Sequence, residues 1–242
     1  MSHELRTPLN SMLLLSKLVS DNKDGNLTDK QLQYIKTVHG SGNDLLNLIN
    51  EILDLSKIEA GKMDLNFSEI ALGEIKAGME RSFIQLAEQK GLNFSINIME
   101  GVPGIIRTDG QRLKQILRNL LSNAFKFTEK GGVTLNIKRA RYDRRFENDV
   151  LKAARTILAF SVADTGVGIP MGNQRVIWEA FQQADGTTSR KYGGTGLGLT
   201  ISREIARMLG GEIHLESEEG RGSTFTLYLP CLLYTSPSPR DS

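Results

Sequence analysis

Two amphipathic helices, followed by a change of period, constrain this chain more than anything else in it. Leu5, Leu9, Met12, Ser16 and Val19 step by four and three, an apolar stripe with one polar gap. The cluster Asp21-Asn22-Lys23-Asp24-Gly25-Asn26 interrupts it with residues that favour turns. Thr28 then stands where a helix cap belongs, ahead of a second stripe of Leu32, Ile35, Val38, Leu45, Ile49, Ile52 and Ile58. Gly61 suits the position just past that helix. Two helices joined by a short polar loop make a hairpin, and a hairpin cannot enclose a core alone. Two hairpins paired as a four-helix bundle can, so the pattern predicts a homodimer.

Beyond a linker expected at 62–72, helical and alternating segments mix. Helices are predicted over about 72–89 and 111–127. Strands are predicted at 92–98, 133–137, 157–162, 213–215 and 224–229. Together they predict an α+β fold with three parts: an N-terminal helical hairpin over 1–61, the linker, and an α/β sandwich over 73–230. The sandwich is expected to hold its strands in one antiparallel-capable sheet with helices on one face.

Composition narrows the function classes. A formal charge of +2 with well-mixed charges gives no electrostatic footprint for a nucleic-acid or membrane-surface binder. There is no long apolar run and no signal-peptide pattern, so a cytoplasmic location is expected, whatever the parent protein carries elsewhere. Cys231 is the one cysteine, which excludes an internal disulfide and a cysteine zinc site. His3 stands two residues from the terminus, where a helix frays, so further chain upstream is expected. Residues 231–242 carry no packing pattern and resemble a translated sequencing adaptor, and are expected to be a non-native tail.

Three blocks in the second part suggest a nucleotide pocket. Asn119, Asn123 and Lys126 fall at i, i+4 and i+7, a polar stripe on a helix otherwise apolar at Ile116, Leu117, Leu120 and Leu121. An amide oxygen suits Mg2+ bridging phosphates, and Lys126 suits phosphate as a point charge, although such a stripe read alone is more often a solvated helix face. Asp164-Thr165-Gly166-Val167-Gly168 follows a strand directly. A carboxylate fixed at a strand end can accept from the exocyclic amine of adenine, and the glycines allow a close turn. Gly193-Gly194-Thr195-Gly196-Leu197-Gly198 opens a helix, the arrangement of a phosphate cradle. No strand precedes this loop and no Gly-x-x-x-x-Gly-Lys-[Ser/Thr] occurs, so Rossmann and P-loop frames fail.

The chain opens on Ser2-His3-Glu4-Leu5-Arg6-Thr7-Pro8-Leu9. A zinc reading of His3-Glu4 lacks its second ligand, because position 7 is Thr. An imidazole mostly neutral at cellular pH has a lone pair for attack on phosphorus, and Glu4 can take the proton of its other nitrogen. Pro8 is expected to bend the helix. His39 and His214 match no motif and are expected to be structural or surface residues. The basic run Lys138-Arg-Ala-Arg-Tyr-Asp-Arg-Arg145 is expected to be a solvated excursion of the sheet.

This string and the three later blocks, in this order, resemble the transmitter core of bacterial two-component sensor histidine kinases, with local wording most like cytosolic hybrid kinases. The resemblance runs from Met1 to about Pro230. It implies ATP and Mg2+ as cofactors, autophosphorylation of His3, and phosphotransfer to an aspartate of a response-regulator receiver domain. It assigns Glu4 and Thr7 to catalysis, including a phosphatase reaction, and Asn123 to the metal. Asn119, Asn123, Lys126, Asp164, Gly166, Gly168, Phe181, Gly194, Thr195, Gly196, Leu197, Gly198 and Thr224 would bind the nucleotide. The family often has Phe where Trp178 stands and Pro at Ala180. Two rival readings are an ATPase of the gyrase, Hsp90 and MutL type, and a non-catalytic dimerising adaptor.

Overall fold

The computed structural model describes residues 2–23, 25–140, 146–181 and 195–231, with the backbone alone for 2–6. The chain divides into two compact units, Met1–Met63 and Asp64–Ser242.

The first unit is the helical hairpin, α1 (Ser2–Ser20) and α2 (Asp29–Glu59). Thr28 caps α2 in a capping box: its hydroxyl accepts from Gln31 N–H, and the Gln31 side chain accepts from Thr28 N–H. At the other end Gly61 N–H donates to Ile58 O and Lys62 N–H to Lys57 O, a Schellman closure with Gly61 at φ 63°. α1 runs through Pro8 as one continuous helix.

The apolar stripe divides differently from expectation. Leu9, Leu13 and Ser16 are buried in the hairpin, whereas Met12 and Val19 are exposed, together with Leu15. On α2, Val38, Leu45 and Ile52 are likewise exposed, while Leu32, Ile35 and Ile49 are half-buried. Each helix therefore has two apolar faces, and a single stripe drawn along the sequence merges them. The polar gap is satisfied internally: Ser16 Oγ lies 3.0 Å from His39 Nδ1 and donates to Leu13 O. His39 is thus structural, as expected.

The second unit runs β1 (Ser68–Ala71), α3 (Leu72–Lys90), β2 (Asn93–Ile98), β3 (Ile105–Thr108), α4 (Gly110–Phe127) and β4 (Gly132–Arg139). It continues with α5 (Asp149–Ala153), β5 (Ile157–Asp164), two 3-10 turns (Met171–Asn173 and Val176–Trp178), α6 (Gly198–Met208), β6 (Glu212–Glu218) and β7 (Gly222–Pro230). The stretch expected as a linker is in part a strand: β1 pairs antiparallel with β3, Ile70 opposite Ile106. Asn66 N–H also donates to Asp109 Oδ2, whose other oxygen caps α4. Four residues are too few to show a period, and their partner lies far along the chain.

The main sheet has the order β2-β4-β5-β7-β6. It is mixed: β2 and β4 are parallel, and the remaining pairs antiparallel. The excursion through β3 and α4 returns β4 in the direction of β2, which an antiparallel reading cannot accommodate. The register places Ile96, Leu135, Val162, Phe225 and Leu215 in one row on one face. α4 presses Leu113, Ile116, Leu117, Leu120 and Leu121, all fully buried, into the core under that face. Phe83 of α3 stacks on Phe125 of α4, and Phe94 of β2 meets the same ring edge-on.

The opposite face is polar near β2 and β4 but is covered at one end by a small second core. Leu151, Ile157, Ala159 and Tyr228 form it, with Phe146 packed against them. His214 belongs here, 2.7 Å from Glu212 Oε2 and edge-on to Tyr228. Burial pushes the Glu212 carboxyl up, but hydrogen bonds from His214, Asn148 N–H and Glu147 N–H outweigh it and hold the group below its ordinary range. The expected basic excursion falls partly on residues 141–145, outside those described. Cys231 N–H donates to Thr156 O, closing the β5–β7 edge, and 232–242 also lie outside the described residues.

Candidate nucleotide-binding site

The site stands at one end of the core-facing side of the sheet. The register there aligns Phe94, Val133, Asp164, Ser223 and Ser217 across all five strands. Alternation makes this row face the helices, so the Asp164 side chain points toward them. Burial pushes the Asp164 carboxyl up, and hydrogen bonds from Gly166 N–H and Ser223 N–H offset this only in part. A half-desolvated acceptor at a strand end is suited to a flat amine-bearing ring.

The turn after Asp164 follows from its glycines. Gly168 has φ 67°, and a Cβ there would fall on Glu218 O; a Cβ at Gly166 would fall on Phe127 O. The turn is held from three sides. Val167 N–H donates to Phe127 O, Gly220 N–H to Val167 O at 2.7 Å, and Ile169 N–H to Ser217 Oγ at 2.8 Å.

α4 carries the polar stripe. Asn119 Nδ2 donates to Ser202 Oγ at 2.9 Å, and a Cβ on Gly198 would meet the Asn119 amide. Asn119 is therefore engaged in fastening α4 to the start of α6. Asn123, one turn on, is half-buried. Lys126 is half-buried with Nζ 4.9 Å from the Phe127 ring centre, and burial pushes its ammonium pKa down.

α6 supplies the third wall. Thr195 Oγ1 accepts from Leu197 N–H, Gly196 adopts φ 72°, and Leu197 is fully buried as an anchor. The first intrahelical bond is Ile201 N–H to Leu197 O, and among the described residues no side chain caps the helix. The opening N–H groups of Gly198, Leu199 and Thr200 are thus of the kind that binds an anion. Gly194 lies outside the described residues. Phe181 is exposed and adopts a left-handed backbone, φ 63°.

Thr224 does not belong to this constellation. It sits opposite Ala163, so alternation turns it to the other face of the sheet. Ser223, which the sequence reading passed over, is opposite Asp164, buried, with Oγ 2.9 Å from Ser217 Oγ. The signal was present: counting back by two from the apolar Leu227 and Phe225 reaches Ser223.

In the first unit the α1 backbone includes His3 and Glu4, whose side chains lie outside the described residues. Thr7 is exposed, and its carbonyl accepts from Ser11 Oγ.

Comparison with known proteins follows the same division. The family model for the His Kinase A (phospho-acceptor) domain matches residues 1–61. That for the histidine kinase-, DNA gyrase B- and HSP90-like ATPase matches residues 108–232. The autoinducer 2 sensor kinase/phosphatase LuxQ of Vibrio cholerae is 40% identical over 237 residues, 98% of this chain and 26% of that protein. The aerobic respiration control sensor protein ArcB of Escherichia coli is 41% identical over 227 residues, 93% of this chain and 27% of the relative. The chain thus spans about a quarter of these relatives' length. The crystal structure of full-length ShkA in complex with AMPPNP superposes with a TM-score of 0.73 at 32% identity, over 95% of this chain and 44% of that one. A phospho-acceptor helical hairpin and an ATPase-type α/β unit in one chain, each matched along its own segment, show that this protein belongs to the two-component sensor histidine kinases and carries their transmitter core.

Proposed function

We propose that the protein binds ATP with Mg2+ in the α/β unit, taken as 73–230, and transfers the γ-phosphoryl group to His3 of the hairpin, taken as 1–61. The observation that carries this reading is the pairing of Asp164, raised by burial beside the Gly166–Gly168 turn, with the uncapped start of α6. One end suits adenine and the other suits phosphates. Asn123 would hold Mg2+ through its amide oxygen, the phosphates supplying further ligands to this hard ion. Lys126 would face phosphate.

In the transfer one imidazole nitrogen of His3 forms the N–P bond as the bond from the γ-phosphorus to the bridging oxygen breaks, and ADP leaves with that electron pair. Glu4 accepts the proton from the other nitrogen. The phosphoryl group then passes to a receiver aspartate of a response regulator, and Glu4 with Thr7 would position water in the reverse, phosphatase reaction. Such chemistry needs positioning and electrostatics more than covalent machinery. Homodimerisation is supported by the exposed stripes Met12, Leu15 and Val19 on α1 and Val38, Leu45 and Ile52 on α2, apolar faces that the hairpin itself does not cover. A gyrase-type ATPase, or an adaptor that only dimerises, leaves either the phospho-acceptor segment or the nucleotide pocket without a role.

Incubation with labelled ATP tests the reading. His3→Gln should keep ATP binding and abolish incorporation, and the wild-type label should be acid-labile and base-stable, as a phosphoramidate is. Acid-stable label on Ser or Thr would contradict it.

A further inference from the structure

The two ends of the pocket lie on separate elements, and Trp178 is where those elements are joined. From Asp164 the chain runs through the two 3-10 turns to Trp178. Each turn is too short to hold its own orientation, and both are fixed from outside. Gln174 Nε2 donates to Ile169 O and Ser217 O, and Trp178 O accepts from Thr200 Oγ1 at 3.0 Å. The Trp178 ring stands edge-on to Phe225 of the sheet, centroids 5.9 Å apart.

One turn beyond Thr200 on α6, the Arg203 guanidinium carbon lies 5.9 Å from the Trp178 ring centre. Arg203 Nε is buried and, among the described residues, has no hydrogen-bond partner. The neighbouring Glu204 Oε1 is 3.6 Å away and is itself engaged by Arg207 at 2.9 Å. The rest of the Arg203 side chain is partly exposed and Glu204 faces Nε, so the indole adds its π surface to a charge that is already partly compensated. α6 is therefore bolted to Trp178 at two levels, by a hydroxyl on the carbonyl and by a guanidinium on the ring. Together with the Asn119–Ser202 bond and the packing of α6 against α4, these contacts set the angle of the helix.

We propose that Arg203 is a positioning residue for nucleotide binding, acting through Trp178 to set the phosphate-binding start of α6 against the adenine-reading turn at Asp164. This rests on the ATP reading of the site. ATP spans both ends of the pocket, whereas adenosine uses the Asp164 end alone. Loss of register between the ends therefore weakens the first and spares the second.

The test titrates the full chain with Mg-ATP and with adenosine, for wild type, Arg203→Met, Arg203→Lys, Trp178→Leu and the Arg203→Met/Trp178→Leu double variant. Calorimetry serves every form. In those that keep it, fluorescence of Trp178, the one tryptophan of the sequence, gives a second readout. Arg203→Met should weaken ATP by about three- to tenfold with adenosine unchanged. Arg203→Lys, which keeps charge without the planar fork, should recover part of that loss. Arg203→Met should add nothing once Trp178 is Leu. Unchanged ATP affinity in Arg203→Met, equal loss of ATP and adenosine, or full additivity with Trp178→Leu would each overturn the proposal. Asp164→Asn separates the two levels of argument: if it leaves both ligands unaffected, the pocket itself is misassigned.

Discussion

Gly198→Ala should destabilise the α/β unit, although alanine is ordinarily the better helix residue by up to about 1 kcal/mol. A Cβ on Gly198 would fall on Asn119 Oδ1 and lie 2.9 Å from Asn119 Cγ. The Asn119 amide must then rotate and give up its 2.9 Å bond to Ser202 Oγ. Ser202 is 2% exposed, so its hydroxyl loses that partner out of reach of bulk water. Leaving one buried polar group unsatisfied costs about 1–3 kcal/mol. Set against the intrinsic gain of alanine, the net loss is centred on about 1 kcal/mol, a fall in Tm of roughly 2–4 °C for a unit of this size. Differential scanning calorimetry of the full chain reads it. In an Asn119→Ala background the obstacle is gone, and Gly198→Ala should there be neutral or stabilising. A melting temperature that stays level or rises with Asn119 in place would refute the close approach as the reason for glycine at this position.

Because burial raises the Asp164 pKa, its carboxyl takes up a proton at higher pH than an ordinary aspartate, and ATP affinity should fall on acidification through that range. Asp164→Asn should bind about tenfold more weakly with that pH limb gone. The same shift means the charged form is disfavoured by folding, so this group's contribution to stability is present at low pH and lost as pH rises. Asp164→Asn should therefore not lower Tm at neutral pH, and a clear fall there would contradict the assignment. Ser223→Ala should weaken ATP binding while Thr224→Val leaves it unchanged, since the two side chains point to opposite faces of the sheet; equal effects in a titration would undo that distinction. His39→Leu should destabilise the hairpin by about 0.5–1.5 kcal/mol by removing the side-chain partner of Ser16, 5% exposed, whose bond to Leu13 O remains, and circular dichroism melting would detect it.

Much of this molecule was legible in order along the chain. The helical hairpin, the Thr28 cap, the Gly61 stop, the Asp164 strand end and the apolar face of α4 depend on residues within one or two turns of each other. Local sequence decides such features because the interacting groups are neighbours. The residues proposed for the pocket stand in short runs for the same reason, each run carrying its own chemistry.

What the tertiary structure decided lies between segments distant in sequence. The pairing of β1 with β3 and the parallel entry of β2 beside β4 depend on which strands meet. The engagement of Ser16 by His39 depends on two helices lying side by side, and periodicity could report only a polar gap. Ser223 rather than Thr224 shares the face of Asp164 because strand register is set by the buried apolar row, and a one-residue difference reverses the face. Asn119, expected at the nucleotide, is fastened to Ser202 because α6 packs against α4 there. Trp178 read as a mild departure from a family pattern and became the joint between two elements only when Thr200 and Arg203 were brought to it. Periodicity determines which residues must be buried; burial of many segments at once determines which of them touch.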